Sequence, residues 1–430
     1  MTTYAQMTQQ ELEEELAALQ RVYDEFKAKG LSLNMARGKP SRQQLELSTG
    51  MLDVITSDGP SLAEDGTDLF NYGVLDGIPE AKRLMAVMLD DKPENVIVFG
   101  NSSLNIMYDT IMRCWVFGTL GSTPWCQLEQ AKFLCPVPGY DRHFGVTEAF
   151  GIQMITVPMT PDGPDMDAVE QLVASDPAIK GIWCVPKYAN PTGITYSDDV
   201  VRRLASMETA ADDFRIMWDN AYCIHHLSAD PAEQDQLLDI AVACQEAGNP
   251  ERYFKFASTS KVTLPGAGIS AMAASAANIA DIKQRISAQM IGHDKINQKR
   301  HALFLKDEET LMAHMAKHAE LIKPKFDLVL NRLEQELTAC GCGSWTKPNG
   351  GYFISFDALA GTAKRIVSLA KGAGVQLTGA GATYPYKNDP QDSNIRIAPT
   401  LPPLEELDQA LDVFVTCVKL ASVEALLAER

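Results

Sequence analysis

From residue 95 onward the chain alternates between short apolar segments typical of strands and longer stretches with helical spacing or loops. The predicted strands span residues 95–99, 153–157, 181–185, 215–218, 253–257 and 268–274. Predicted helices between them include residues 104–116, 165–175 and 198–211. Alternation of this kind predicts an α/β fold whose mostly parallel sheet is covered by helices on both faces.

The two ends of the chain predict a second, smaller α+β domain. An amphipathic helix is expected at residues 11–29, and another at 325–337 with Pro324 at its first turn. A strand at 352–356 after Gly350-Gly351, a strand at 395–397 and a last helix at 402–426 complete this part. We therefore predict a discontinuous small domain from residues 1–65 and 321–430, with the large domain at 66–320.

Composition excludes several classes of protein. A formal net charge of -18 argues against a nucleic-acid surface, which needs clustered Lys and Arg. The sequence shows neither a signal peptide nor an apolar run long enough for a membrane span. The nine cysteines are scattered, and the Cys340-x-Cys342 pair is one residue short of a metal or redox spacing. We therefore expect a cytoplasmic protein with reduced thiols and no metal site.

Five polar residues occur in an order that predicts chemistry at the strand ends. Lys261 ends Ser258-Thr259-Ser260-Lys261 after one strand, and Asp219 with Tyr222 follows another. Asn190 opens Asn190-Pro191-Thr192-Gly193, and Arg396 lies downstream. Ligands of such folds bind beyond the carboxyl ends of the strands, so we expect these side chains to meet there. Together they are the groups that pyridoxal phosphate chemistry on amino acids requires.

Each of these residues has a role in that hypothesis and a plainer alternative. Lys261 would form an imine with the cofactor, which requires a neutral amine, although a lone Ser-Lys is more often a surface lysine. Asp219 would face the protonated pyridine nitrogen, or else cap a helix. Tyr222 and Asn190 would hydrogen-bond the phenolate oxygen. Arg396 would bind a substrate carboxylate, or else form a structural ion pair.

Other residues are candidates for the phosphate and the ring. Asn101, Ser102 and Ser103 join a strand to a helix, where backbone N–H groups and hydroxyls hold phosphate, although helix capping alone would also explain them. The hydroxyls of Ser258 and Ser260 would assist. Tyr140 is a candidate ring to stack on the pyridine, or else a core tyrosine.

This ordered set resembles the aspartate aminotransferase family, fold type I of the pyridoxal-phosphate enzymes, from about residue 31 to 399. The resemblance implies a homodimer with shared active sites, in which Tyr72 reaches the neighbouring subunit's phosphate and Gly38 lies near the substrate carboxylate. It also implies transfer of the amino group of L-aspartate to 2-oxoglutarate, with Lys261 moving the Cα proton. The stretches 34–40 and 292–298 resemble a divergent bacterial subgroup.

One departure from the family concerns the phosphate. Members usually carry an arginine about eight residues after the lysine, but residues 265–270 contain none. Lys255, or hydroxyls and backbone alone, are expected to replace it. The cation for the distal carboxylate is also open, and the candidates are Arg37, Arg142, Lys295 and Arg300.

Three alternatives remain open at this point. The same residues serve an aromatic or alanine aminotransferase or a β-lyase. A regulator that uses this fold to sense a ligand would carry a basic DNA-binding domain before it, whereas only a short acidic segment precedes it here. A non-catalytic dimeric protein is disfavoured because the chemical series is intact.

Overall fold

Eight strands form one central sheet within residues 3–430, the part of the chain that the computed structural model describes. In chain order the strands of the molecule are β1 Leu33–Asn34, β2 Val96–Phe99, β3 Lys132–Val137, β4 Gln153–Thr160, β5 Gly163–Pro164, β6 Ile179–Cys184, β7 Arg215–Asp219, β8 Tyr253–Ser258, β9 Ser270–Ala274, β10 Gly343–Trp345, β11 Ile354–Ala358, β12 Val375–Gln376 and β13 Asn394–Ile397. The order across the central sheet is β2-β9-β8-β7-β6-β3-β4-β5.

The central sheet is mostly parallel, which confirms the predicted fold class. Strands β3, β4, β6, β7 and β8 pair in parallel, whereas β9 runs antiparallel to both β2 and β8. Every residue of β2, β6, β7, β8 and β9 is buried. Such strands are apolar on both faces because helices cover both sides of the sheet.

The helices in chain order are α1 Gln9–Ala28, α2 Arg42–Glu46, α3 Pro79–Leu89, α4 Ser103–Phe117, α5 Asp141–Ala149, α6 Met166–Ser175, α7 Asp198–Ser206, α8 Ile240–Glu246, α9 Ala276–Ile286, α10 Lys295–Leu305, α11 Glu308–Leu337, α12 Ala363–Gly372 and α13 Leu404–Ala428. Within residues 3–430, none of these helices is long and apolar enough to cross a membrane.

Both ends of the chain build a second layer beside the central sheet. β1 pairs in parallel with β12, and α1 packs along α13. The antiparallel sheet β10-β11-β13 places Ser355 opposite Arg396. Tyr23 of α1 donates a hydrogen bond to the backbone oxygen of Leu369 at 3.0 Å. This arrangement is the smaller α+β part that the sequence predicts, while the division at residues 65 and 320 stays a prediction.

Several predicted elements differ from the structure. The helix predicted for 325–337 begins much earlier, because α11 starts at Glu308 after its N-cap Asp307 and continues through Pro324. The strand predicted after Gly350-Gly351 begins only at Ile354. Gly350 and Gly351 pack instead against Tyr188, whose ring would lie 2.3 Å from a Cβ at position 350.

Strand β3 was not predicted although it lies in the middle of the sheet. Its sequence contains Pro136, and proline within a strand weakens a strand assignment because it lacks a donor N–H. In the structure β6 pairs with β3 only over residues 132–134, so that Pro136 lies beyond that ladder.

Candidate active site

The predicted polar residues meet at the carboxyl edge of the central sheet. Asp219 is the last residue of β7, and the loops after β2, β6 and β8 carry Asn101, Asn190 and Lys261. The Ser260 hydroxyl donates to the backbone oxygen of Asn101 at 3.3 Å, which ties the β8 loop to the β2 loop. Because these four strands run in the same direction, their ends open onto one crevice.

Lys261 ends the 3-10 turn Thr259–Lys261 directly after β8. Its Nζ lies 4.9 Å from the centroid of the Tyr222 ring and 5.9 Å from that of Tyr352. Desolvation lowers the pKa of the Lys261 ammonium, against the attraction of the Asp219 charge, which raises it. A lysine with a lowered pKa is more readily neutral, as a nucleophilic or basic amine must be.

Asp219 is a buried carboxylate with one oxygen used and one free. Its Oδ2 lies 3.0 Å from His143 Nε2, and both side chains are 2% exposed. Its Oδ1 is buried and has no hydrogen-bond partner within the chain. Because an unpaired buried carboxylate oxygen is costly, this atom suits a ligand that brings an N–H donor.

His143 is a site residue that the sequence analysis missed. Its ring stacks on Trp183 with centroids 4.4 Å apart and an interplanar angle of 10°. Tyr140 meets it edge-on at 4.9 Å. The available signal was the helical spacing, since His143 lies one turn after Tyr140 at the start of α5. The stack fixes the imidazole that orients Asp219.

The start of α4 and the turn after β8 form a group of donors. Ser102 is the N-cap of α4 and makes no side-chain capping bond, so its hydroxyl and the first N–H groups of the helix are available. Ser258 donates to Ser260 at 3.0 Å. The Asn101 amide donates to the backbone oxygen of Pro265 at 3.2 Å, so it braces the loop. Together with Ser103, these groups are donors of the kind that bind an anion at a helix N-terminus.

The suggestion that Lys255 meets the phosphate charge is wrong. Its Nζ is buried and bonds Asp239 at 2.6 Å, Asp91 at 3.2 Å and the backbone oxygen of Asp90 at 2.6 Å. Lys255 lies in the middle of β8, and its side chain reaches Asp239 at the start of α8 and the loop after α3 rather than the turn that carries Lys261. The lysine neutralises two carboxylates of the fold instead.

A different cation is linked to the loop that lacks the family's arginine. The Asn297 amide donates to the backbone oxygen of Gly268 at 2.8 Å. Arg300, one turn further along α10, donates in turn to Asn297 Oδ1. Its Nε is buried without a hydrogen-bond partner. Asn297 of α10 therefore links the guanidinium of Arg300, on the same helix, to the loop at Gly268.

Arg396 points inward from β13 and lies over the Phe353 ring at 4.7 Å. Its Nη1 donates to Asp141 at 3.0 Å and to the side-chain oxygen of Asn190 at 3.2 Å. Asp141 thus supplies one anionic partner for this inward-facing arginine. Its Nε is buried and unpartnered, so the guanidinium keeps capacity for a second carboxylate.

Three further predicted residues have distinct surroundings. Tyr222 is buried, and burial raises the pKa of its phenol well above the usual range. A Cβ at Gly38 would lie 2.3 Å from the Phe353 ring, so that only glycine lets the backbone pass so close. Tyr72, in contrast, is 86% exposed.

The candidates for the distal carboxylate are not equivalent. Arg37 and Arg142 are exposed. Lys295 is buried, and its Nζ donates to the backbone oxygens of Asn71 and Gly73. Lys295 is therefore occupied in holding the segment around Tyr72, which leaves it poorly placed to bind a substrate.

Comparison with known proteins places this geometry in context. Residues 7–430 match the family described as aspartate amino-transferase. A putative aminotransferase of Mycolicibacterium smegmatis is 51% identical over 414 residues, 96% of each chain. An aspartate aminotransferase of Corynebacterium glutamicum is 48% identical over 407 residues, 94% of this chain and 93% of that one. The crystal structure of an aspartate transaminase from C. glutamicum matches with a TM-score of 0.95 at 46% identity, covering 99% of each chain.

Proposed function

This chain belongs to the aspartate amino-transferase family, and from that premise we propose that it transfers the amino group of L-aspartate to 2-oxoglutarate with pyridoxal phosphate as cofactor. The products are oxaloacetate and L-glutamate. One observation carries the proposal: Lys261 Nζ lies against the Tyr222 ring in the same crevice as the unpartnered Asp219 Oδ1.

Three features of the crevice fit the cofactor. Asp219 Oδ1 lacks a donor and suits the pyridine N–H. The N-terminus of α4, with Asn101 to Ser103 and the Ser258 and Ser260 hydroxyls, suits the phosphate. Tyr140 suits the face of the ring, and Tyr222 with Asn190 suits its phenolate oxygen. When bound, pyridoxal phosphate accepts the electron pair that remains when the Cα proton leaves.

Lys261 is the proposed general base. Its Nζ would remove the proton from the substrate Cα and would then return it to the C4′ carbon of the cofactor, which amounts to a 1,3 proton shift by one base. A single amine does both jobs because it is neutral when it accepts the proton and charged when it donates it. The lowered pKa of Lys261 favours the neutral form at the start.

Arg396 is the proposed partner of the substrate α-carboxylate. Its planar fork can bind a carboxylate through two parallel hydrogen bonds. Asn190 receives one of its N–H groups at 3.2 Å through the side-chain oxygen, which leaves the Asn190 amide NH2 as the donor toward the ligand. The close approach of Gly38 and Phe353 then shapes the pocket beside the guanidinium.

The phosphate charge and the second carboxylate need further cations. We assign Arg300 to the phosphate side, because Asn297 ties it to the loop at Gly268. Arg37 and Arg142 remain the candidates for the distal carboxylate of aspartate. The proposal also includes a cytoplasmic homodimer in which Tyr72 reaches the phosphate of the neighbouring subunit.

The experiment is an absorption titration of the purified protein loaded with pyridoxal phosphate. L-aspartate should bleach the yellow band, and 2-oxoglutarate should restore it. Restoration by 2-oxoglutarate after bleaching by tyrosine or alanine, with aspartate inert, would replace the substrate claim with an aromatic or alanine aminotransferase. A protein that never turns yellow would contradict the proposed function altogether.

A further inference from the structure

The turn that carries Lys261 is held by side chains that the reaction itself does not use. The backbone oxygen of Val262, the next residue, accepts from His314 Nε2 at 2.8 Å and from His318 Nε2 at 3.0 Å. The Ser48 hydroxyl lies 3.3 Å from the same oxygen. Three donors thus converge on one carbonyl beside the candidate catalytic lysine.

The preceding carbonyl, that of Lys261 itself, is approached from two other sides. His225 Nε2 lies 3.4 Å from it and the Tyr352 hydroxyl 3.5 Å. His301 bonds the hydroxyls of Thr259 and Thr263 at 3.3 and 3.0 Å. Four of the seven histidines of the chain therefore face this short turn.

The hydrogen-bond pattern defines which nitrogen of His318 carries the proton. Gln44 Oε1 accepts from the Ser41 N–H at 3.0 Å, so Gln44 Nε2 is the amide donor. That donor lies 3.2 Å from His318 Nδ1 and 2.9 Å from the Tyr352 hydroxyl. His318 Nδ1 therefore accepts, and His318 Nε2 carries the hydrogen that goes to Val262.

His314 and His318 share one face of α11 because they are four residues apart. Burial lowers the pKa of His318 to about 4 and also lowers that of His314. Both rings are thus neutral near neutral pH, and each has a single N–H to donate. A neutral donor secures the carbonyl without bringing a positive charge next to the Lys261 amine.

We propose that His314 and His318 are positioning residues, which fix the backbone of the Lys261 turn and so direct Lys261 Nζ at the substrate Cα. A lysine side chain has four rotatable bonds, so the direction of its amine depends on a fixed starting point. The turn is only three residues long, and no following helix satisfies its last carbonyls. This inference rests on the proposed role of Lys261.

The test compares His318→Leu, which removes the donor, with His318→Gln, whose amide can still donate to Val262. We expect His318→Leu to lower kcat by about tenfold or more, because displacing a reacting group by about 1 Å slows the chemical step strongly. The KM for aspartate should stay within about twofold of the wild-type value, because the groups proposed to bind the substrate are unchanged. The pH midpoint of the cofactor's absorption band should shift in the same variant. His318→Gln should restore both quantities.

A matched control is His226→Leu, because His226 is also buried but bonds Tyr188 at 2.7 Å rather than the Lys261 turn. It should keep the wild-type kcat and band midpoint. Amide hydrogen exchange at residues 262 and 263 of the cofactor-free protein should accelerate in His318→Leu only. Should leucine prevent folding, His318→Asn serves equally, since its amide is too short to reach Val262.

Wild-type kcat, band midpoint and exchange in a folded His318→Leu or His318→Asn variant would overturn the inference. An equal loss of all three quantities in His226→Leu would also overturn it, because the effect would then be general. Failure of the proposed function is a separate result, since it would appear as an active Lys261→Ala variant whatever His318 does.

Discussion

Two regions of the candidate site differ in how much of their surface is buried and bonded within one chain: the turn around Lys261 and the segment around Tyr72. Around Lys261, carbonyls and hydroxyls are bonded to buried side chains of α10 and α11 and to Ser48. Around Tyr72 the side chains face outward: Tyr72 is 86% exposed, Phe70 64% and Ile291 61%.

This difference indicates two kinds of construction within one candidate site. Buried, hydrogen-bonded groups hold reacting atoms in place, whereas a cluster of exposed apolar residues marks a surface that binds another molecule. The backbone under Tyr72 is nevertheless held, since Lys295 donates to both of its neighbours. A fixed segment with an exposed tyrosine fits the proposed contact with a second copy of the chain.

The largest effect is expected from Lys261→Ala. Removing the proposed general base should lower kcat by roughly 10²–10⁴-fold or more, because proton transfer at Cα would then have no positioned acceptor. Steady-state assays with aspartate and 2-oxoglutarate measure this. Lys187→Ala is the control, since Lys187 is a partly buried lysine that lies over the Tyr188 ring at 5.6 Å. Near-wild-type turnover in Lys261→Ala would show that the turn around Lys261 does not hold a reacting amine.

Asp219→Asn should have the next largest effect. The change keeps the shape but loses the charge that would stabilise a protonated pyridine, and kcat should fall by about 10²-fold, as for other buried electrostatic groups in active sites. The absorption band should shift in the same variant. Asp176→Asn, which loses a peripheral pair with Lys132, should change neither quantity. Unchanged kcat in Asp219→Asn would contradict the assignment of Oδ1.

Tyr72→Phe and Lys295→Met test the exposed half of the comparison. Each should raise the dissociation constant of pyridoxal phosphate by about tenfold, the equivalent of one lost charge-assisted hydrogen bond of roughly 1.4 kcal/mol. The measurement is a cofactor titration followed by absorbance.

A mixing experiment separates a contact within one chain from a contact between two chains. Tyr72→Phe refolded together with Lys261→Ala at limiting cofactor should be more active than either variant alone, because in the proposed homodimer each mixed dimer would contain one site with both residues intact. Activity no higher than the average of the two separate variants would place Tyr72 in its own chain's site.

The smallest effect concerns stability and pH. Since the folded pKa of Lys261 lies below its ordinary value of about 10.5, the unfolded chain binds more protons between those two values. The free energy of unfolding of the cofactor-free protein, relative to Lys261→Met, should therefore rise with pH across that window and stay level below it. Denaturant titrations at several pH values measure the difference, and a fall with rising pH would contradict the lowered pKa.

Much of this arrangement could be predicted because it depends on local sequence. The strand–helix alternation predicts the parallel sheet, and the strand ends bring Lys261, Asp219 and Asn190 to one edge. Pro136 hid β3, and Pro324 hid the first half of α11, because proline is normally a boundary signal. In both places the remaining backbone bonds and the packing outweigh the missing N–H.

The contacts that could not be predicted join residues far apart in the chain. His143 beside Asp219, Asn297 beside Gly268 and His318 beside Val262 depend on how helices dock on the sheet. A lone histidine on a helix carries no signal of its partner. Lys255 was assigned wrongly for the same reason, because its aspartate partners at positions 91 and 239 lie in other loops.

The central claim is that Lys261 carries the cofactor, and borohydride reduction followed by peptide mass mapping tests it most directly. Reduction of the protein loaded with pyridoxal phosphate makes the bond between lysine and cofactor permanent. We predict one phosphopyridoxyl group per chain, on the peptide that contains Lys261, and none when Lys261 is replaced by alanine. A label on another lysine, or no label on a protein that still transfers amino groups, would contradict the account.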